Sequence, residues 1–154
     1  MVTLRPMKQY EFTIFFENEV KEFAEWMTKA YKLPPKRALD IAKEQLSYKY
    51  KDGINTKNQY IYTIEDKHQQ KIGVVSYSIQ KDEQSAWLDT IEIDQPHRQQ
   101  GYGKQVLALI ESKIKQHHVN HIILHVYKNN KIAQTLYKNS GYQIVSHIMT
   151  KQLS

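Results

Sequence analysis

No cysteine occurs among the 154 residues. That absence excludes a disulfide scaffold and thiolate metal sites, and it fits a reducing compartment such as the cytoplasm. No apolar run approaches the ~20 residues needed to span a membrane. The first residues, "MVTLRPMKQYEF", also lack the apolar core of a secretory signal. A cytoplasmic protein with no membrane partner is expected. Repeats, linkers and low-complexity stretches are missing too, which predicts one domain over residues 1–154. Glycine is scarce, with only five in the chain, so two of them one residue apart, at 101 and 103, draw notice.

What is present suits a folded domain: 40% hydrophobic and 25% charged residues are proportions of a globular chain. Basic residues outnumber acidic ones for a net charge of +6. That balance is open to nucleic acid, an anionic membrane, a polyanionic small molecule, or a lysine-rich surface serving solubility. The lysines are spread along the chain and form no stripe interleaved with aromatics, so no nucleic-acid partner is expected.

Periodicity supplies the elements. "VTLRPM" reads as a short opening strand. "YEFTIFFENEVKEFAEWMTKAY" places Phe12, Phe16, Val20, Phe23, Met27 and Ala30 at helical spacing. A second helix follows Pro35, with a stripe of Ala38, Leu39, Ala42, Leu46 and Tyr50. The period then changes: "YIYTIE", "IGVVSYSI" and "AWLDTIEI" read as strands joined by hairpin loops. Two helix–strand units follow. A helix from about Lys104 to Gln116 leads into "HIILHVY", and one from about Asn130 to Asn139 leads into a closing strand, "YQIVSHIMTKQL". Helices packed on a central sheet make this a mixed α/β domain.

In "AWLDTIEID" the apolar Leu88 falls at an even position, but Ile91 and Ile93 fall at odd ones. A one-faced strand keeps a strict period of two. An extra residue near Asp89 and Thr90, a β-bulge, accounts for the slip; burial of both faces is the alternative. Just after this strand, in "PHRQQGYGKQV", Gly101 and Gly103 allow close backbone approach and positive φ. The first amides of the next helix lack intrahelical partners and carry the positive end of its dipole. Together these features make an anion cradle suited to phosphate, flanked by Arg98 and Lys104. Val106 occupies the third glycine position of the dinucleotide fingerprint, and the stretch does not follow the first strand of a βαβ unit, so a Rossmann reading fits poorly.

"RQQGYG" resembles the Arg/Gln-x-x-Gly-x-Gly/Ala motif of the Gcn5-related N-acetyltransferase (GNAT) superfamily. About thirty residues on, "NKIAQTLYKNSGY" is similar to that superfamily's Asn-x-x-Ala-x-x-Leu-Tyr element followed by Gly and an aromatic residue. The element order matches along nearly the whole chain, and details such as "LHVYKNN" look most like a bacterial subgroup of unassigned acceptors. The resemblance implies an α/β GNAT fold. Its sheet would be mixed, mostly antiparallel, of six to seven strands flanked by about four helices, and splayed between strands 4 and 5.

It further implies acetyl-CoA as co-substrate. Arg98, Gln99, Gln100, Gly101, Tyr102, Gly103 and Lys104 would bind its pyrophosphate. The bulged strand at Ile91, Glu92 and Ile93 would hold its pantetheine arm. Asn130 and Ala133 would help to position it, and Tyr137 would be the acid that protonates the leaving sulfur. Asn130 also reads as a helix N-cap. Three residues are open as the base: His125, where some relatives carry glutamate, and the strand carboxylates Asp89 and Glu92. Glu19, Glu22 and Glu25 read as an exposed helix face more readily than as an amine-attracting site. His117, His118 and His121 lack ligand spacing, so no metal is expected. The function implied is acetyl transfer to a primary amine, of a small molecule or peptide, by direct attack in a ternary complex. A non-catalytic acyl-CoA-binding sensor is the alternative, and a homodimer is the assembly that the resemblance suggests.

Overall fold

A five-stranded sheet in the order β1-β2-β3-β4-β5 is the frame of the molecule. Its strands are β1 (Thr3–Pro6), β2 (Gln59–Glu65), β3 (Lys71–Gln80), β4 (Ser85–Ile93) and β5 (His121–Leu124). The computed structural model describes all 154 residues, and they divide into two compact units. The first holds Met1–Met7 and Asn58–Gln143, and the second holds Lys8–Lys57 and Ile144–Ser154.

In the first unit, β1 to β4 pair antiparallel and β5 joins β4 in parallel. Pro6, which has no amide to donate, is tolerated because β1 lies at the sheet edge. Between β3 and β4 the register steps from Ser76↔Thr90 to Tyr77↔Leu88, so Asp89 is the inserted residue of a bulge. The bulge resets parity: Leu88, Ile91 and Ile93 all pack on one core although their numbering alternates. Against that face lies helix α3 (Tyr102–Lys115), which buries Val106, Leu107, Ile110 and Ile114. They meet Ile64, Ile72, Val75 and Tyr77 of the sheet. Full burial of such side chains stabilises by about 1.5–3 kcal/mol each.

β3 and β4 approach unusually closely at Gly73. A Cβ there would collide with the Glu92 carbonyl oxygen and come within 3.1 Å of Ile93 Cα. Glycine inside a strand often marks such an approach. Helix α4 (Lys131–Asn139) completes the unit.

The second unit is built on helices α1 (Gln9–Tyr31) and α2 (Pro35–Lys49). At the start of α1, the Lys8 amide donates to Glu11 Oε1 at 2.9 Å. Pro35 opens α2, where a missing amide proton costs nothing. Ala24 and Met27 pack with Ala38 and Ala42, the last two fully buried. Phe12, Phe15 and Phe16 surround the Tyr50 ring edge-on at 5.7, 6.1 and 6.5 Å. Leu39, expected in the buried stripe, is 46% exposed.

The expectation of six to seven strands is corrected to five. The expected closing strand does not form: Tyr142–Ser154 has no regular structure. Its residues have strand-forming character, but a strand exists only where a neighbour completes its ladder. "HIILHVY" likewise pairs only over His121–Leu124.

Candidate active site at the β4–β5 divergence

The site grows from the parallel pairing of β4 with β5, which covers only Ser85↔His121 to Leu88↔Leu124. Pairing stops where the Asp89 bulge begins. From there to Ile93, β4 is paired with β3 on one side and has no strand on the other. A strand edge without a neighbouring strand can accept an extended ligand in the manner of an added strand. Ile91, Glu92 and Ile93, named from the sequence, are on this stretch and are all half-buried.

Beyond β4 the chain turns through Gln95–His97, a single 3-10 turn, into α3. The turn is tied back to the sheet twice. The Asp94 amide donates to the Ile72 carbonyl at 2.8 Å. Arg98 Nε donates to the Ile93 carbonyl at 2.7 Å, and its Nη1 donates to Gln95 Oε1 at 3.1 Å. Arg98 therefore fastens the loop to the end of β4 as well as supplying charge. Gln99 and Gly101 take positive φ, 62° and 81°. Around Gly101 a Cβ would meet nothing within 4 Å. The first bond of the α3 ladder runs from the Gln105 amide to the Gly101 carbonyl at 3.4 Å. The amides of Tyr102, Gly103 and Lys104 precede the ladder and keep the N-terminal partial positive charge. An open glycine before a row of such amides fits a phosphate group.

Gly103 plays a different part from Gly101. Its missing Cβ is the space taken by α4, since a Cβ there would stand 3.3 Å from Leu136 Cδ2. This contact packs the "GYG" loop against Leu136, the residue before Tyr137 on α4. Neither Leu136 in this role nor Gly73 stood out in the sequence, although a glycine within the "IGVVSYSI" strand pattern was the available signal.

α4 is held at its start by Asn130, whose side-chain oxygen accepts from the Ala133 amide at 3.1 Å. Gln134 Nε2 fixes the preceding turn by donating to the Tyr127 and Lys128 carbonyls at 3.0 and 2.8 Å. Ala133 packs on the core. Tyr137 is 9% exposed, and burial, which penalises the phenolate, pushes its pKa up to about 12. Its ring leans on Tyr142 at 5.7 Å, and Tyr142 in turn donates to Glu111 Oε2 at 2.9 Å. At neutral pH the Tyr137 phenol is fully protonated, and burial makes it a weaker acid than an exposed tyrosine.

The three residues open as bases lie apart. His125 follows the end of β5, exposed, with its ring edge-on to Tyr127 at 5.2 Å. Asp89 is the bulge residue and its Oδ2 is buried. Glu92 sits opposite Val74 on the β4 edge. On α1, Glu22 and Glu25 are exposed, as a solvated face requires, and Glu19 is half-buried.

The sheet parts at a bulge and is followed by a glycine loop and a helix N-terminus, an arrangement whose open amides suit an anion. The chain belongs to the acetyltransferase (GNAT) family, whose model matches residues 20–142. It is 25% identical over 154 residues to YycN of Bacillus subtilis (strain 168), an uncharacterized N-acetyltransferase, with 99% of each chain covered. The solved structure of YycN superposes with a TM-score of 0.91 over 100% of this chain and 99% of that one, at 24% identity. Spermidine N-acetyltransferase from Vibrio cholerae, solved with CoA and spermine, shares the fold at a TM-score of 0.68 and 22% identity. That match covers 96% of this chain and 83% of the other. The chain is thus an acetyl-CoA-dependent acyltransferase of the GNAT family.

Proposed function

We propose that this chain moves an acetyl group from acetyl-CoA to a primary amine, with both substrates bound together and Tyr137 as the general acid. The observation that carries the reading is the close packing of Leu136, the neighbour of Tyr137 in sequence, on Gly103, which supports a single site for the cradle and the phenol. Acetyl-CoA supplies the activated acyl group as a thioester. The amides of Gln99 to Lys104 and the Arg98 and Lys104 side chains hold its phosphates. The unpaired β4 edge at Ile91, Glu92 and Ile93 orients its arm, and Asn130 and Ala133 set the start of α4 against it. With no cysteine in the chain, no thiol is present to carry the acyl group, which favours direct attack by the amine.

The attacking amine must be neutral. A base at His125, Asp89 or Glu92 would take its proton, directly or through water. The Tyr137 hydroxyl donates to the departing sulfur as the carbon–sulfur bond breaks. The phenol holds that proton across the neutral range, as a tyrosine at its ordinary value of 10.0 also would. Replacing Tyr137 with Phe preserves the packing and removes the proton. At saturating acetyl-CoA, kcat should fall by roughly 10²–10⁴, the range for one general acid. A kcat equal to that of the native chain removes Tyr137 from the mechanism.

A further inference from the structure

Where α4 ends, the backbone closes on Tyr137. Gly141 takes positive φ, 94°, at the position where glycine commonly stops a helix. Its amide donates to the Lys138 carbonyl at 3.1 Å, and the Tyr142 amide donates to the Tyr137 carbonyl at 3.0 Å. These are the two bonds of the Schellman motif, which is frequently accompanied by contact between the side chains at its two ends. Here those ends are Tyr142 and Tyr137, and their rings lie 5.7 Å apart at 58°. The way the helix stops sets one tyrosine ring against the other.

The far end of Tyr142 is fixed from another element. Its hydroxyl donates to Glu111 Oε2 on α3 at 2.9 Å, and a bond to a carboxylate is stronger than one between neutral groups. Both residues are half-buried. On α3, Gly103, Leu107 and Glu111 recur at intervals of four and share a face. Gly103 receives Leu136, Leu107 is buried in the core, and Glu111 receives Tyr142. The two attachment points stand about 12 Å apart along the helix, at ~1.5 Å per residue. Leu136 and Tyr142 are thus both held by α3, and Tyr137 lies between them in sequence.

We propose that Glu111 and Tyr142 form a positioning pair that fixes the ring of Tyr137 for proton transfer, neither of them reacting itself. The role rests on the reading of Tyr137 as general acid and deepens it by naming what aims the phenol. Aim matters because a misplacement of ~1 Å at a reacting group can cost about 10²-fold in rate. Tyr142 supplies the surface on which the Tyr137 ring rests, and Glu111 keeps that surface from swinging away.

The test follows thiol release from saturating acetyl-CoA with water as the acceptor, because the acid serves the departing sulfur whichever nucleophile attacks. Tyr142→Phe keeps the ring and the Schellman bonds but loses the hydroxyl. Its kcat should fall roughly 10-fold, within the ~10² cost of a misplaced group, with KM for acetyl-CoA unchanged. Glu111→Ala should behave alike. Glu111→Gln, whose amide oxygen still accepts from Tyr142, should recover most of the loss. Added to Tyr137→Phe, Tyr142→Phe should lower kcat no further, since the pair acts only through the Tyr137 hydroxyl. A second readout needs no turnover. Proton NMR should show Overhauser contacts between the two rings in the native chain, weakened in Glu111→Ala and retained in Glu111→Gln, with native circular dichroism in both variants.

The acid and its positioning pair fail differently. A native kcat in Tyr142→Phe beside a lowered one in Tyr137→Phe overturns the pair and leaves the acid in place. So does a further fall when Tyr142→Phe is added to Tyr137→Phe, or a ring contact in Glu111→Ala as strong as the native one. A native kcat in Tyr137→Phe overturns the acid, and the pair's role with it.

Discussion

At the scale of single residues, the site is made of groups that each serve two ends. Arg98 is both a fastener of the loop to the Ile93 carbonyl and a cation beside the cradle. Asn130 caps α4 through its oxygen and is also proposed to position the co-substrate. Tyr137 is a core residue and a candidate acid, and burial has a consequence for it that can be measured. Its folded-state pKa of about 12 exceeds the ordinary value of 10.0. Above pH 10 the unfolded chain therefore releases a proton that the folded chain keeps. The stability is fully present below pH 10 and is lost as pH rises through 12. For Tyr137 the loss is on the order of 2–3 kcal/mol, and burial raises Tyr77 and Tyr142 in the same direction. Urea midpoints should decline steeply between pH 9.5 and ~11.5. Tyr137→Phe should decline less over that interval. An identical decline in both would mean that the phenol is as solvated in the folded state as in the unfolded one.

Among the elements, what the sequence disclosed and what it hid have a common explanation. The bulge was legible because a strand's parity is local: Leu88 against Ile91 and Ile93 is a mismatch that six residues suffice to reveal. The Asn130 cap and the Gly101 turn were legible for the same reason. The closing strand was misread because a strand needs a partner remote in sequence, and "YQIVSHIM" describes only half of that pair. Leu39 was placed in the α2 stripe by spacing, but what covers a stripe is decided by the neighbouring helix. Leu136 escaped notice because its role lies in the void left by Gly103, thirty-three positions earlier.

That contact carries a prediction about the α3–α4 pair. In Gly103→Ala the helix gains about 1 kcal/mol from better propensity, whereas crowding of the Leu136 methyl costs about 1–3 kcal/mol. The net effect on stability should be small. KM for acetyl-CoA should rise several-fold as α4 shifts from the cradle. Shortening the neighbour, in Gly103→Ala/Leu136→Val, should return KM toward the native value. If the double variant is no better than the single one, the packing of α4 on Gly103 does not govern cofactor binding.

On the scale of the whole molecule, family and fold agree with the chemistry that the β4–β5 divergence offers. The +6 charge favours the approach of a polyanionic co-substrate and should make its association salt-dependent. The acceptor is a separate matter. The measurement that bears most directly on acetyl transfer is incubation of the protein with acetyl-CoA and a library of primary amines. Polyamines belong in it, given the fold shared with a spermidine N-acetyltransferase, as do amino-terminal peptides. Thiol release and mass spectrometry would be read together. The account predicts thiol and N-acetylated amine formed in equal amounts for at least one amine. Tight binding of acetyl-CoA with no thiol released against any amine would contradict it and leave a sensor in its place.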